Sequence, residues 1–385
     1  MSTRLQQEVW ALDRCSGCGV CVAACSKGVL YWNNEEQHPL LEEREKTLGL
    51  SHLKLRTCEV CEKFCELSCP RLVDASALHW QTPMEPRSMV SARSVGVVQS
   101  GEPNDVIRSL LVAARSADLI DGVVMLDMDP WALEPVARVV TTVDEIVSSV
   151  GMQYLWAPVL SALNEAVFEL GLTKLAIVGS PCVAEGARRL MNAEHERLWP
   201  YQKAIRLIIA SFCTGVYMPD MVTELLERGM GISRHQIRGL TTSVTDGTLT
   251  VALWDDTERK IPLTDVEPFT RHGCGSCDDY LGESADIAVG AVGAMSGYAT
   301  LITRTPAGEA FVQNARRFGL LETIAQVDEA ALNAAKAEKD RRARAQAFDE
   351  FRILMLDSLS DPRKRDQVRK RFVSLYGAPQ VGGTK

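Results

Sequence analysis

Twelve cysteines in a chain of 385 residues limit what this sequence can fold into more than any other feature. Eight of them lie in two dense runs near the N-terminus. The first is Cys15-x2-Cys18-x2-Cys21-x3-Cys25, and the second is Cys58-x2-Cys61-x3-Cys65-x3-Cys69, followed by Pro70. The segment that carries them, residues 1–85, has little regular apolar periodicity. Bound ligands, more than a hydrophobic core, must hold such a segment together.

The spacing of the first run is that of a bacterial ferredoxin. Three closely spaced cysteines wrap a tight loop around one 4Fe–4S cubane, and the fourth is carried on to the neighbouring cluster. The crossed pattern predicts one cluster on Cys15, Cys18, Cys21 and Cys69, and a second on Cys58, Cys61, Cys65 and Cys25. Gly17 and Gly19 suit close backbone approach and N–H groups aimed at sulfur. The second run has one extra residue between its second and third cysteines, and Ser26 stands where proline usually follows the first run. Zinc sites more often use two cysteine pairs separated by a longer loop, which does not describe either run.

Composition narrows the setting. A formal charge of −8 gives no basic face for nucleic acid. No apolar run approaches the roughly 20 residues that span a bilayer. Met1 to Arg14 is polar, without a signal-peptide core. These features place the chain in the cytoplasm, free or peripheral to a membrane complex. There, clustered cysteines bind metal or do redox chemistry rather than form structural disulfides.

A Pro-containing stretch from Gln81 to Arg87 reads as a linker, and residues 88–325 form the second region. Its apolar runs 121–126, 174–178 and 206–210 read as strands, and 106–117, 158–170 and 219–228 as helices. The alternation predicts an α/β layer with a largely parallel sheet. Asp246-Gly247 predicts a hairpin turn between Ser243 and Val251. Residues 326–385 form a helical, partly basic tail. It contains a long helix over 330–356 with polar and charged faces, then Arg363-Lys364-Arg365 and Arg369-Lys370-Arg371. These charges read as a solvated face, with a docking surface for a partner protein as the alternative.

Four cysteines remain. Cys182 and Cys213 each follow a strand-like run, with a helix over 183–192 between them. A βαβ unit would put both thiols at the carboxyl edge of parallel strands, where open α/β sheets build their sites. Cys274-x2-Cys277 lies on a Gly-rich loop. Spacing alone leaves two readings open: a four-cysteine ligand set, or small buried core residues.

The segments Gly179-Ser-Pro-Cys182, Ser211-Phe-Cys213, Cys274-Gly-Ser-Cys277-Asp-Asp-Tyr280, Ala285 to Ala294, Ser296-Gly-Tyr298 and Ile302-Thr-Arg-Thr305 occur together, in this order. Over about residues 10–325 the chain resembles the family of β subunits of coenzyme F420 hydrogenases and dehydrogenases. The resemblance implies an α/β core that binds FAD, with a third 4Fe–4S cluster beside it on Cys182, Cys213, Cys274 and Cys277. It implies flavin contacts from Ser100, Gly101, Tyr154, Gly290, Gly293, Ser296 and Tyr298. No G-x-G-x-x-G fingerprint is present, so FAD rests on the resemblance alone.

The chain departs from the family at Ser100-Gly101-Glu102-Pro103-Asn104 and at Gln153. The expected function is an iron–sulfur flavoprotein subunit that moves electrons between coenzyme F420 and a partner oxidoreductase. Partners of the hydrogenase, formate dehydrogenase, quinone-linked or heterodisulfide-type kind fit this reading. The alternatives are an electron relay without a coenzyme F420 site, and a reductase of another substrate fed by ferredoxin. Catalysis rests on cofactors, so His272 and Asp278 read as local structure.

Overall fold

The computed structural model describes residues 3–32, 38–41, 61–72, 84–97, 102–129, 134–149, 155–243 and 246–357, and the single positions 362, 366 and 370. Cys58, Ser100, Gly101, Gln153, Tyr154, residues 81–83 and most of 358–385 therefore lie outside the described residues.

The cysteine-rich segment contains α1 (Val20–Ala23), the paired strands β1 (Leu30–Tyr31) and β2 (Leu40–Leu41), and α2 (Phe64–Ser68). The core then runs β3 (Ser88–Ser94), α3 (Pro103–Ser116), β4 (Gly122–Met128), β5 (Pro135–Val140), α4 (Val143–Ser148), β6 (Leu175–Gly179), α5 (Pro181–Asn192), α6 (Trp199–Ala204) and β7 (Ile205–Ser211). Helical turns at Val159–Ala162 and Glu165–Glu169 precede β6, and a helix over Met221–Gly229 follows β7. Next come β8 (Ile237–Ser243), β9 (Thr248–Leu253), β10 (Glu258–Pro262), α7 (Leu263–Val266), α8 (His272–Gly275), β11 (Ile287–Gly290) and β12 (Ala299–Thr303). The chain continues through α9 (Pro306–Arg317), β13 (Leu321–Ile324) and α10 (Glu329–Asp357).

Local chemistry explains these elements. Pro103, Pro181 and Pro306 each open a helix at its first turn, where a missing N–H costs little. Thr142 and Glu145 cap α4 reciprocally. Strands β6 and β7 are apolar and buried nearly throughout, as strands covered on both faces must be. The predicted hairpin forms as β8 and β9, with β10 extending it to three strands.

The main sheet corrects the largely parallel expectation. Its order is β13-β3-β12-β11-β7-β6-β4-β5, and only the pairings β4·β6, β6·β7 and β7·β11 are parallel. β5 and β12 each return directly from the preceding strand, and connections this short cannot make a parallel crossover. β3 and β13 extend the antiparallel side.

Two hydrophobic layers cover the sheet. Leu110, Leu111, Val123, Ile146, Ile209, Val289 and Ala315 belong to the layer under α3, α4 and α9. On the other face Leu160, Leu163, Ile177, Ala184, Ala187 and Ile208 pack together with Val20, Ala23, Ala24 and Phe64 of the cysteine-rich segment. That segment therefore shares a core with the α/β layer. Residues 84–87 are likewise fixed to it and do not form a free linker: Met84 N donates to Glu283 O (3.1 Å) and Arg87 N to Thr303 O (2.8 Å). The second contact continues the antiparallel pairing of β3 with β12, and the first ties the segment to the loop before β11. No helix among the described residues is long and apolar enough to cross a membrane.

Gly17 and Gly19, with φ of +74° and +85°, make the docking possible. A Cβ at Gly17 would lie 2.1 Å from Trp156 Nε1, and one at Gly19 would lie 2.6 Å from Pro158 O. The close approach expected from these glycines is an approach to the core. Gly28 has a similar φ of +61° but open space around it. Gly28→Ala is therefore expected to cost about 1 kcal/mol of backbone strain. Gly17→Ala should cost a further ~1–3 kcal/mol from overpacking. Anaerobic urea unfolding of the two variants measures the difference, and equal midpoints would contradict the docking.

Candidate functional site

The register of β6 and β7 places two thiols at one edge of the sheet. Cys182 lies in the first turn of α5, just after β6, and Cys213 follows β7. Phe212 N donates to Val289 O, and Cys213 N donates to Tyr280 O at 3.0 Å, which ties the 277–280 loop beside β7. Arg271 N donates to Val216 O and Cys274 N to Arg271 O, fixing α8 against the same loop. The fold thus brings Cys182, Cys213, Cys274 and Cys277 together. Burial pushes the Cys182 thiol up to about 11, and Cys274 and Cys277 add to the rise. Burial pushes Cys213 up to about 12, with Cys274, Cys182 and Cys277 contributing and Lys339 opposing.

A second set forms in the N-terminal segment. Burial raises the Cys21 thiol well above its usual value, with Cys15, Cys18, Cys69 and Cys65 adding repulsion. Cys69 is raised to about 12, first by burial, with Cys15 contributing. Cys15, Cys18, Cys21 and Cys69 are therefore neighbours. Cys25, Cys61 and Cys65 line a small separate cavity with Lys27, Lys63 and Phe64. The described cysteines are free of disulfides.

The sets lie in series. Burial and then Cys182 raise the Cys18 thiol, so the N-terminal set faces the sheet-edge set. α5 is the shared wall: it carries Cys182 at its start, and at Gly186 a Cβ would lie 3.3 Å from Cys18 Sγ. Cys65 beside Cys21 links the N-terminal set to the cavity set.

Cationic side chains surround these thiols. Arg271 is fully buried, stacks over Trp156 (4.3 Å) and Trp32 (5.6 Å), and donates from Nε to Cys15 O at 3.2 Å. Its Nη2 has no hydrogen-bond partner among the described residues, and neither do Arg71 Nε and Trp32 Nε1. Arg189 donates from Nη1 to Cys69 O (2.8 Å) and Leu72 O (3.0 Å). Lys339 Nζ donates to Cys213 O (2.5 Å) and Asp279 O (2.8 Å). Burial lowers the Lys339 pKa, but Cys277, Cys213, Cys274 and Asp279 outweigh it and the net shift is upward.

Buried donors without partners, aimed among clustered thiols, fit anionic sulfur-rich clusters. Among the described residues, no three His, Cys, Asp or Glu side chains converge on a point as a single metal ion requires. A cubane brings its own irons, so its ligands stand further apart.

The resemblance-based flavin residues divide. Tyr298 lines a cavity of about 360 Å³ with Ala92, Arg93, Glu102, Asp105 and Gly297, and Arg93 lies 5.3 Å from its ring centroid. Burial and then Asp105 raise the Glu102 carboxyl pKa. Gly290 and Gly293 serve packing: a Cβ would lie 2.0 Å from the Phe212 ring at the first and 2.9 Å from Leu332 at the second. Ser296 sits in the exposed turn before β12. Ser100, Gly101 and Tyr154 lie outside the described residues. A cavity of about 600 Å³ adjoins Cys274 and Cys277, lined also by His272, Arg271, Lys339, Arg341 and Arg342. Sequence reading placed His272 in local structure and missed Arg271, Arg71, Trp32, Trp156 and Lys339.

Comparison with known proteins agrees with the family seen in the motifs. Residues 89–164 match the N-terminal part of the coenzyme F420 hydrogenase/dehydrogenase β subunit, and residues 172–329 match its C-terminal part. An uncharacterized protein of Methanocaldococcus jannaschii is 31% identical over 345 residues, covering 84% of this chain and 92% of that protein. A subunit of the F(420)H(2) dehydrogenase of Methanosarcina mazei is 26% identical over 313 residues, covering 80% and 84%. A chain of the F420-reducing [NiFe] hydrogenase complex from Methanosarcina barkeri shares the fold, with a TM-score of 0.63 and 22% identity over 72% of this chain and 94% of that one.

Arg271 gives this arrangement a direct test. Arg271→Lys keeps the charge but loses the planar fork and the ring stacking. It should lower the unfolding free energy by about 2–4 kcal/mol. Arg341→Lys, on the exposed face of α10, should leave the urea midpoint unchanged. Matching shifts in the two variants would contradict the role assigned to Arg271.

Proposed function

The chain belongs to the family of coenzyme F420 hydrogenase/dehydrogenase β subunits, and on that premise we propose that it is the electron-input subunit of a larger oxidoreductase complex. The serial arrangement of its thiol sets along α5 carries this reading. Cys182, Cys213, Cys274 and Cys277 would hold one 4Fe–4S cluster. Cys15, Cys18, Cys21 and Cys69 would hold the next, and Cys25, Cys58, Cys61 and Cys65 the last. FAD would sit at the same sheet edge, beside Tyr298 and Arg93. When bound, FAD supplies the exchange between a two-electron hydride and single electrons, and the clusters supply one-electron transfer.

The chain's own residues position and shield. Trp32, Trp156 and the buried Arg271 exclude water between the first two sets. Arg71, Arg271 and Lys339 supply positive charge, which favours reduction of nearby anionic groups. Cys25, Cys61 and Cys65 of the last set line a cavity with Lys27 and Lys63, and this set would hand electrons to the partner. Coenzyme F420 is the proposed donor or acceptor, as the names of the relatives state for those proteins.

Anaerobically reconstituted protein should contain iron and acid-labile sulfide near twelve of each per chain, about four per cluster, with little zinc. About eight of each would remove the sheet-edge cluster, and stoichiometric zinc would overturn the iron–sulfur reading.

Stopped-flow mixing with reduced coenzyme F420 should bleach the flavin and then reduce the clusters. Cys274→Ser should preserve the bleaching and stop the later step, because serine is a poor ligand for this chemistry. Bound flavin that never bleaches would promote the relay reading.

A further inference from the structure

α10 lies largely beyond the residues that match the family, which end at 329. Its buried positions nevertheless follow a regular stripe. Leu332, Lys339, Ala343 and Ala347 are all at most 5% exposed. Between them, Lys336 pairs with Glu283. Steps of seven and four residues keep these positions on one helix face. A lysine at 339 therefore occupies a place where an apolar residue would otherwise pack.

The helix is seated tightly against the sheet-edge site. Asp328 N donates to Gly293 O at 2.8 Å, and Leu332 fills the space beside Gly293. At the other end, the Gln346 side-chain amide packs directly against Gly275, in the loop between Cys274 and Cys277. Midway, Lys339 is 3% exposed and reaches the carbonyls of Cys213 and Asp279. Both acceptors are backbone carbonyls. Among the described residues its hydrogen bonds go to these carbonyls, and the positive charge stands beside three of the four thiols and the Asp279 carboxylate.

We propose that Lys339 is a positioning residue of the sheet-edge cluster: α10 carries a fixed positive charge to it and raises its reduction potential, while bracing the Cys213 and Asp279 backbone. The inference rests on the four-cysteine cluster proposed above. The reduced cluster carries one more negative charge than the oxidised one, so a nearby buried cation stabilises the reduced form. Neutralising that cation makes the cluster harder to reduce. Lysine is required at 339 because an apolar residue of similar length would fill the stripe without supplying charge.

The test is an anaerobic redox titration followed by electron paramagnetic resonance, on the full chain with its cofactors. The sheet-edge cluster is the signal missing from Cys274→Ser protein. Lys339→Met should lower its reduced-to-oxidised ratio at a fixed potential at least tenfold, a shift of about 59 mV for one electron. The signals of the two N-terminal clusters should move less. Lys339→Arg, which keeps the charge, should stay within about threefold of wild type. An unchanged potential in Lys339→Met, or equal shifts in both variants, would overturn the role of charge. If Lys339→Met does not assemble the cluster, Lys339→Arg decides: a near-native potential supports the proposal, and loss of the signal overturns it. A wild-type protein without the sheet-edge signal would overturn the four-cysteine reading itself, and this inference with it.

Discussion

The buried guanidinium of Arg271 joins the two halves of this chain. It immediately precedes α8, three residues before Cys274, lies over the adjoining rings of Trp32 and Trp156, and holds the carbonyl of Cys15. A charge at this depth is stabilised only by partners that stay in place. Trp156 donates in turn to Gly17 O, and Gly17 has no side chain to block it. The N-terminal cysteine loop is therefore held against the sheet edge by one cation, two indole rings and a glycine. Moving any of them separates the thiol sets.

α5 supplies the second constraint. One turn separates Cys182 from Gly186, so a single rigid helix presents a thiol to one set and a bare backbone to the other. The short separation between these two thiol sets thus follows from the backbone geometry of one helix.

The sequence disclosed the strands and helices of the core well. Runs such as Leu175–Gly179 and Ile205–Ser211 are apolar enough to admit one reading, and Pro181 and Pro306 mark helix starts by their chemistry. The placement of Cys182 and Cys213 at the carboxyl edge of parallel strands followed from the βαβ pattern, and the two strands are neighbours. Strand direction on the other side of the sheet was not legible, because it depends on connection length and on pairing between β3 and the distant β12 and β13. The buried cations were hidden for a related reason. Arg71, Arg271 and Lys339 look like surface charges in sequence, and only tertiary packing encloses them. In α10, Lys339 interrupts the apolar stripe that would have marked the docked face, so the helix read as solvated.

The central claim is that one compact fold holds three cubanes in series, with α5 between the sheet-edge set and the nearer N-terminal set. Anomalous diffraction at the iron edge from anaerobically grown crystals tests it most directly. The account expects three compact iron peaks per chain. One should be bounded by Cys182, Cys213, Cys274 and Cys277, the next by Cys15, Cys18, Cys21 and Cys69, and the third by Cys25, Cys58, Cys61 and Cys65. Iron confined to the N-terminal segment, with Cys182, Cys213, Cys274 and Cys277 packed as unliganded thiols, would contradict it.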